Sequence, residues 1–184
     1  MKRTAIVVGI FVSLAPGAAA GQVAGASALA EARREARREQ VVASATKGPA
    51  FSDGRKTWRV VSDLRARPEA DVAGFEVVDQ RGPLAVVVAT ASPAGGQTVA
   101  VDVRSGRLGI LTGTIVVKLA DGAEAASIAR AAGLTVRFVA EGIRYAYLVA
   151  PPGRDLVEAA GLLGRIPGVV EAHPEVLTNF SVGK

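Results

Sequence analysis

The chain has 184 residues, 49% of them hydrophobic, which is enough for one ordinary domain or two small ones. Its formal net charge of +5 is a weak excess and aromatic residues make up only 4%, which disfavours a nucleic-acid-binding surface. The absence of cysteine excludes disulfides, a cysteine nucleophile and thiolate metal sites.

The first twenty residues have the pattern of a secretory signal peptide. Lys2 and Arg3 give a charged start, residues 5–14 are apolar, and residues 18–20 read Ala-Ala-Ala, a small-residue cleavage site. The apolar run is shorter than the roughly 20 residues that span a bilayer. We therefore expect cleavage after Ala20 and a secreted or periplasmic mature chain with a formal charge of +3 and no membrane contact.

Residues 21–55 are predicted to form a polar helical or linker segment. The stretch "EARREARREQ" places arginines and glutamates at i,i+3 and i,i+4 spacings, which is typical of a solvated helix face. We predict a helix over residues 27–45, with Ser27 as the N-cap and Gly48-Pro49 as the stop. Because these charges alternate in sign, no nucleic-acid partner is expected.

Residues 56–110 are predicted to form a small β-rich region. The segments "TWRVV", "FEVVDQ", "PLAVVVAT" and "TVAVDV" are rich in β-branched residues and are separated by turn-forming residues at 81–83, 93–96 and 105–106. This pattern indicates a small antiparallel meander. The stretch "GRLGILTG" is expected to lie between strands, and it lacks the Lys-Ser/Thr ending of a phosphate-binding loop.

Residues 111–175 have the clearest pattern. "TIVVKLA" alternates as a strand, and "AEAASIARAAG" reads as a helix closed by Gly133. "LTVRFVA" and "IRYAYLVA" follow as strands joined by a tight turn at Glu141-Gly142. "RDLVEAAGLLGRI" is a second helix, and "VVEAH" is a short strand ended by Pro174. This order predicts an α+β fold of the ferredoxin-like type, a four-stranded antiparallel sheet with both helices on one face.

The predicted arrangement leaves the second face of that sheet open. Tyr145 and Tyr147 are two residues apart in one predicted strand and therefore share a face. They either form an exposed aromatic row or pack in the domain's own core, and the sequence leaves both interpretations open.

No combination of residues supports catalysis. His173 is the only histidine, and no G-x-S-x-G nucleophile turn occurs. A zinc site takes three or four ligands, so His173 with Glu171 and Glu175 falls short of one, and the two glutamates flank a strand end. We predict a protein that is not an enzyme and that has no cofactor and no metal site.

Residues 110–180 resemble the prodomain of subtilisin-type serine proteases. Such prodomains open with a T-G-x-x-[VI]-V-K-[FL] strand, matched by Thr112–Leu119, and close with a P-G-V-x-x-[AV]-x-P-[NE] strand, matched by Pro167–Glu175. The resemblance implies an intramolecular chaperone and inhibitor. It also implies that the open sheet face packs on two surface helices of the protease and that the C-terminal segment runs through the active-site cleft.

The sequence ends at Lys184 without a protease domain, so the resemblance implies a protease supplied as a separate chain. A signal, an N-terminal extension and a prodomain-like region are together similar to the external chaperones of bacterial kexin-like subtilases. The expected assembly is a 1:1 heterodimer with the protease. The alternative is a periplasmic structural or interaction protein whose ferredoxin-like module binds a different partner.

The resemblance also places the expected contacts. His173 would lie where the last strand ends, and Pro174 would turn the chain toward the partner. The tail 176–184 would enter the cleft, with Lys184 either in an acidic specificity pocket or at a frayed end. Glu141 would cap a protease helix or be a solvated turn residue. The complete set of predicted partner-binding residues is Glu141, Tyr145, Tyr147, His173, Pro174, Glu175, Val176, Leu177, Thr178, Asn179, Phe180, Ser181, Val182, Gly183 and Lys184.

Overall fold

A computed structural model of the chain describes residues 28, 29, 32, 33, 35, 36, 39, 40, 43, 45–89 and 95–178. The predicted signal peptide and the predicted tail residues 179–184 lie outside these ranges, as does the predicted N-cap at Ser27. The chain divides into two compact units, Met1–Arg33 and Arg34–Lys184.

The N-terminal helix prediction agrees with the residues that are described. In the first unit, residues 28, 29, 32 and 33 are helical and exposed. In the second unit, residues 35, 36, 39, 40 and 43 are also helical, and a 3-10 turn follows at Ala45–Lys47. Over the described part of the chain, no helix is both long and apolar enough to cross a membrane.

Residues 45–89 and 95–178 contain nine strands and two short α-helices, which confirms the α+β class. All strand pairs are antiparallel. The strands are β1 Ala50–Ser52, β2 Thr57–Pro68, β3 Val77–Arg81, β4 Leu84–Val88, β5 Gln97–Asp102, β6 Leu108–Leu119, β7 Thr135–Ala140, β8 Tyr145–Val149 and β9 Val169–Leu177, and the helices are α1 Ala125–Ala132 and α2 Leu156–Leu163.

Local signals in the sequence bound both helices. The side chain of Asp155 accepts hydrogen bonds from the backbone N–H groups of Val157 and Glu158, which caps the start of α2. Gly133 follows α1 in the left-handed conformation, with φ of 68°, and its N–H bonds to the carbonyls of the last turn. The predicted end of α1 at Gly133 is confirmed, and α2 ends at Leu163.

The N-terminal strands do not form the predicted meander. The strand order is β3-β4-β2-β5, so β2 lies between β4 and β5 instead of at one end. The physical reason is the length of β2, which has 12 residues and a register shift between Val61 and Arg65. It pairs with β5 along one edge, and with β1 near its start and β4 near its end along the other.

Strand β6 joins the two halves of the sheet. Its first residues pair with β5, residues 114–118 pair with β8, and β9 runs along its other edge. The predicted division between residues 110 and 111 falls inside this strand. The expectation that "GRLGILTG" lies between strands was wrong, because residues 108–113 belong to β6. Its glycines favoured a loop prediction, but Gly109 lies where the side chains of Trp58 and Val176 meet.

Two apolar clusters lie along this shared strand. The first contains residues of β2 to β5 together with Leu108 and Ile110 of β6. The second contains Ile115, Val117 and Leu119 of β6 with residues of α1, α2, β7, β8 and β9. The predicted order strand, helix, strand, strand, helix, strand is present from β6 to β9, with strand order β9-β6-β8-β7. Within the described residues these four strands are part of a sheet of nine.

Candidate partner-binding surface

The C-terminal strands present one face away from the helices. Alternate residues such as Val117, Ala146 and Leu148 pack in the helix-side cluster, so their neighbours along each strand point to the opposite side. We call this second side the open face and define it by the side chains Val116, Phe138, Tyr145, Tyr147, Val149 and His173.

An aromatic and apolar row crosses the open face. Phe138 of β7 lies opposite Tyr147 of β8, which lies opposite Val116 of β6 and, beyond it, His173 of β9. The rings of Phe138 and Tyr147 have centroids 6.0 Å apart and planes inclined at 42°, within the usual range for aromatic pairs. Directly opposed residues on one face of a sheet are in side-chain contact range, so the four side chains form one row, in which Val116 is buried.

A second row beside it carries charge. Tyr145 lies opposite Lys118, and Lys118 lies opposite Glu171 on the other side of β6. Opposite charges on facing strands are a favourable cross-strand pair. The open face therefore has an aromatic row next to a row with one positive and one negative side chain.

The apolar part of the open face is accessible to a partner. Phe138 is 59% exposed, Val149 is also exposed, and Tyr145 and Tyr147 are half-buried. The structure places both tyrosines on the open face and not in the core of the domain. The alternate residues of the same strand, Ala146 and Leu148, are the buried ones. Contiguous exposed apolar side chains on a soluble domain often mark an interaction site.

Sequence reasoning missed Phe138. Strict alternation in "TVRFVA" puts Phe138 on the same side as Val136, which packs toward the helices. The register shifts between Val136 and Phe138, so Val136 lies opposite Leu148 while Phe138 lies opposite Tyr147 on the open face. The residues around this bulge have no pattern that distinguishes a bulged strand from a regular one, so the sequence did not predict it.

Glu141 lies at the end of the open face, in the turn between β7 and β8. This turn is a 3-10 helix, Glu141–Ile143, and both of these residues are exposed. Arg144 follows with φ of 56°, unusual for a residue other than glycine. Its N–H bonds to the Glu141 carbonyl, and its carbonyl accepts from Leu119 of β6. These two hydrogen bonds hold the backbone of the turn that carries Glu141 in one conformation.

The expected exit at His173 and Pro174 was wrong. Strand β9 continues to Leu177, so His173 lies in its middle and Pro174 is a buried residue opposite Ile115. Within the described residues β9 pairs only with β6, which makes it an edge strand. Proline lacks an N–H but is tolerated at such an edge, because no ladder hydrogen bond is lost there. Pro174 therefore does not turn the chain toward a partner.

The first residues assigned to the tail also belong to the sheet. Glu175 accepts a hydrogen bond of 2.5 Å from the Thr112 hydroxyl. Val176 lies opposite Leu111 and is part of a small cluster with Trp58, and Leu177 lies opposite Ile110. Thr178 is the first residue after β9. The predicted contacts of residues 179–184 lie outside the described part of the chain.

The turn between β1 and β2 approaches β9 from the N-terminal half. Burial raises the pKa of Asp53, but hydrogen bonds from Trp58 Nε1 and from the N–H groups of Arg55 and Lys56, with the nearby charge of His173, lower that pKa below its ordinary value. Asp53 is thus held as a carboxylate beside β9.

His173, Glu171 and Glu175 do not form a metal site in the described part of the chain. No group of three or more His, Asp or Glu side chains there is arranged to hold a metal ion. The His173 ring is within 3.2 Å of the Pro174 carbonyl through Nδ1, a contact with its own backbone. The open face combines exposed aromatic and apolar side chains with charged ones, a composition that suits the binding of another protein.

Comparison with known proteins gives one family and one solved structure. A family model described as the open reading frame 2 N-terminal domain matches residues 46–181. No curated protein matches the chain. A chain from the crystal structure of the Aeromonas sobria serine protease (ASP) and chaperone (ORF2) complex is similar at 19% identity. The alignment covers 74% of this chain and 100% of the other, with a TM-score of 0.36.

Proposed function

The chain belongs to the family of the open reading frame 2 N-terminal domain, and from this premise we propose that it is an external chaperone and inhibitor of a subtilisin-like serine protease. The family shares its name with the chaperone ORF2, whose partner in the Aeromonas sobria complex is a serine protease. The resemblance of residues 110–180 to subtilase prodomains supports the same class of partner, and within it a kexin-like subtilase.

The observation that carries the proposal is the open face. Phe138, Tyr147 and Val149 form an accessible apolar surface on the side of the sheet opposite α1 and α2. Aromatic side chains surrounded by polar ones are typical of the energetic centre of protein interfaces. Here Lys118, Glu171 and Glu141 supply the surrounding charges. We assign the open face as the docking surface for the protease.

Inhibition would come from the chain that follows β9. Because β9 ends at Leu177, the segment available to enter the protease cleft is the tail 178–184. An extended tail can pair with a cleft edge as an added strand, with main-chain hydrogen bonds giving affinity and side chains giving specificity. Lys184 in this segment has a side chain that suits an acidic specificity pocket of a protease that cleaves after basic residues.

Chaperone activity follows from the same interface. Large α/β proteases with many non-local contacts fold slowly and expose apolar surface meanwhile. A protein that binds only native-like protease surface stabilises that state by mass action. One binding event therefore both favours folding of the protease and blocks its cleft. The signal-like pattern of residues 1–20 supports a role outside the cytoplasm.

The chaperone role is tested by producing the protease with and without this chain. The test protein is a secreted subtilisin-type protease from the same organism that lacks a prodomain of its own. We expect active protease only when the chain is present, and a Phe138→Ala/Tyr147→Ala double variant should give a reduced yield. Equal yields of active protease without the chain would contradict the proposal.

A further inference from the structure

The N-terminal half of the molecule contacts β9 close to the point where the tail begins. We call residues 53–58 the brace segment; it comprises the turn after β1 and the start of β2. Trp58, the only tryptophan in the chain, is 1% exposed. It forms a small buried cluster with Ala100 and Leu111, and Val176 of β9 packs against this cluster.

The indole and Val176 meet over a glycine. A Cβ placed on Gly109 would lie 2.4 Å from Val176 Cγ1, closer than real carbon atoms approach, and 3.0 Å from Trp58 Cζ3, a tight contact. The space that a side chain at this position of β6 would take is therefore filled by the indole from one side and by Val176 from the other. Close packing of this kind leaves Val176 little freedom to move.

The indole is itself held in one orientation. Trp58 Nε1 donates a 2.8 Å hydrogen bond to Asp53 Oδ2, and Asp53 Oδ1 accepts from the N–H groups of Arg55 at 2.9 Å and Lys56 at 2.7 Å. Lys56 Nζ lies 5.3 Å from the centroid of the indole and 3.6 Å from Asp102 Oδ2. A buried indole N–H needs a partner, and this one has a carboxylate fixed by the turn.

The brace segment also follows β9 upstream of Val176. A Cβ placed on Gly54 would lie 3.0 Å from Glu171 Oε1, so the turn passes directly beside that side chain. From the other side, Thr112 of β6 donates to Glu175. Strand β9 is therefore contacted by the brace segment at Glu171 and Val176 and bonded by Thr112 at Glu175, although it lies at an edge of the described sheet.

We propose that Trp58 is a positioning residue for the tail: it fixes Val176, and with it the direction in which the chain leaves β9 toward the protease cleft. The inference rests on the proposed function and adds a role for the N-terminal β region, which the prodomain resemblance does not cover. Ordering the exit before binding lowers the conformational entropy lost when the tail enters a cleft.

The positioning itself is measurable in the free protein. Because the chain has no cysteine, Thr178→Cys creates a single site for a nitroxide spin label directly after β9. We expect faster label motion in the Trp58→Phe and Asp53→Ala backgrounds than in the parent chain. Val86→Ala, which removes buried volume from the N-terminal cluster away from β9, is the control and should lower the melting temperature without changing label motion.

The functional consequence is measured as the binding affinity of four chains for the same protease. These are the full chain and the chain ending at Leu177, each with Trp58 or Trp58→Phe. We expect Trp58→Phe to weaken binding about tenfold in the full chain, and to leave binding of the shortened chain unchanged, because the effect acts through the tail. A residue that only stabilises the fold would weaken both chains equally.

Three results decide the inference. Unchanged label motion in both brace variants overturns it, whatever the protease assay shows. An equal loss of binding in the full and shortened chains also overturns it. Faster label motion together with no inhibition by the parent chain supports the brace on β9 and contradicts the proposed protease partner, so the failures of the two proposals are distinguishable.

Discussion

Phe138 and Tyr147 lie opposite each other on β7 and β8, with ring centroids 6.0 Å apart, on the face of the sheet away from both helices. The pair exists because a bulge in β7 turns Phe138 from the helix side to the open face. In the free protein these two rings gain little of the free energy that burial of an aromatic side chain provides. A partner that covers them would supply that burial.

We predict that Phe138→Ala and Tyr147→Ala each weaken protease binding by about 1–3 kcal/mol, because interface aromatics are frequent binding hot spots. Phe138→Ala is the cleaner variant, since the side chain is mostly exposed and its loss should leave stability almost unchanged. Leu162→Ala, which truncates an exposed residue of α2, is the matched control. Isothermal titration calorimetry measures both; equal effects of Phe138→Ala and Leu162→Ala would place the interface elsewhere.

Two truncations should separate the tail from the fold. A chain ending at Leu177 should keep the parent melting temperature, because β9 is complete, and should lose most of its inhibition while still binding. A chain ending at Glu175 should be less stable by about 1–2 kcal/mol, since the apolar contacts of Val176 with the Trp58 cluster are lost. Thermal unfolding and peptide-hydrolysis assays measure the two effects; undiminished inhibition by the chain ending at Leu177 would remove the tail from the mechanism.

Gly109→Ala should destabilise the protein by about 1–3 kcal/mol, because the new methyl group would overlap Val176 Cγ1 and the indole of Trp58. Gly161→Ala is the matched control: it lies within α2 with open space around it, and alanine should stabilise that helix by about 0.5–1 kcal/mol. Urea unfolding measures both free energies. Similar small changes in the two variants would mean that Trp58 and Val176 do not pack over Gly109.

Acid should destabilise the protein partly through Asp102. Burial raises the pKa of Asp102, but hydrogen bonds from the Ser105 hydroxyl and the N–H groups of Arg104 and Ser105, with the charge of Lys56, bring that pKa below its ordinary value. A folded-state pKa below the unfolded one stabilises the protein above the unfolded pKa, and this contribution is lost as the pH falls through the folded pKa.

We therefore predict that Asp102→Asn lowers the free energy of unfolding near neutral pH and reduces its decrease on acidification. Urea unfolding near neutrality and at about pH 3 measures both quantities. Asp79→Asn, which alters a surface pair with Arg81 on β3, is the control. An unaltered pH profile in Asp102→Asn would show that this carboxylate does not contribute to acid sensitivity.

The sequence predicted what depends on local pattern. Alternation and capping residues gave the order of strands and helices from β6 to β9, and the spacing of Tyr145 and Tyr147 gave their common face. Strand order in the N-terminal half was not predictable from local pattern, because it depends on the long strand β2 pairing along both edges. The division of the chain into a β-rich region and a prodomain-like domain stays a prediction.

Two errors at the candidate site have specific causes. The sequence pattern predicts a strand that ends at Pro174, whereas β9, an edge strand of the described sheet, accepts a proline and continues to Leu177. Phe138 was overlooked because a bulge reverses its side without changing the residue pattern. Both features depend on where a strand lies in the sheet, and that is set by residues distant in sequence.

The proposed function requires that the chain binds the active form of a subtilisin-like serine protease and blocks its cleft. Peptide hydrolysis by a secreted subtilisin-type protease of the same organism, measured during titration with the mature chain, tests this requirement. We predict inhibition that saturates at one chain per protease molecule and that is weakened by Phe138→Ala. Full protease activity in the presence of micromolar chain would contradict the proposed function.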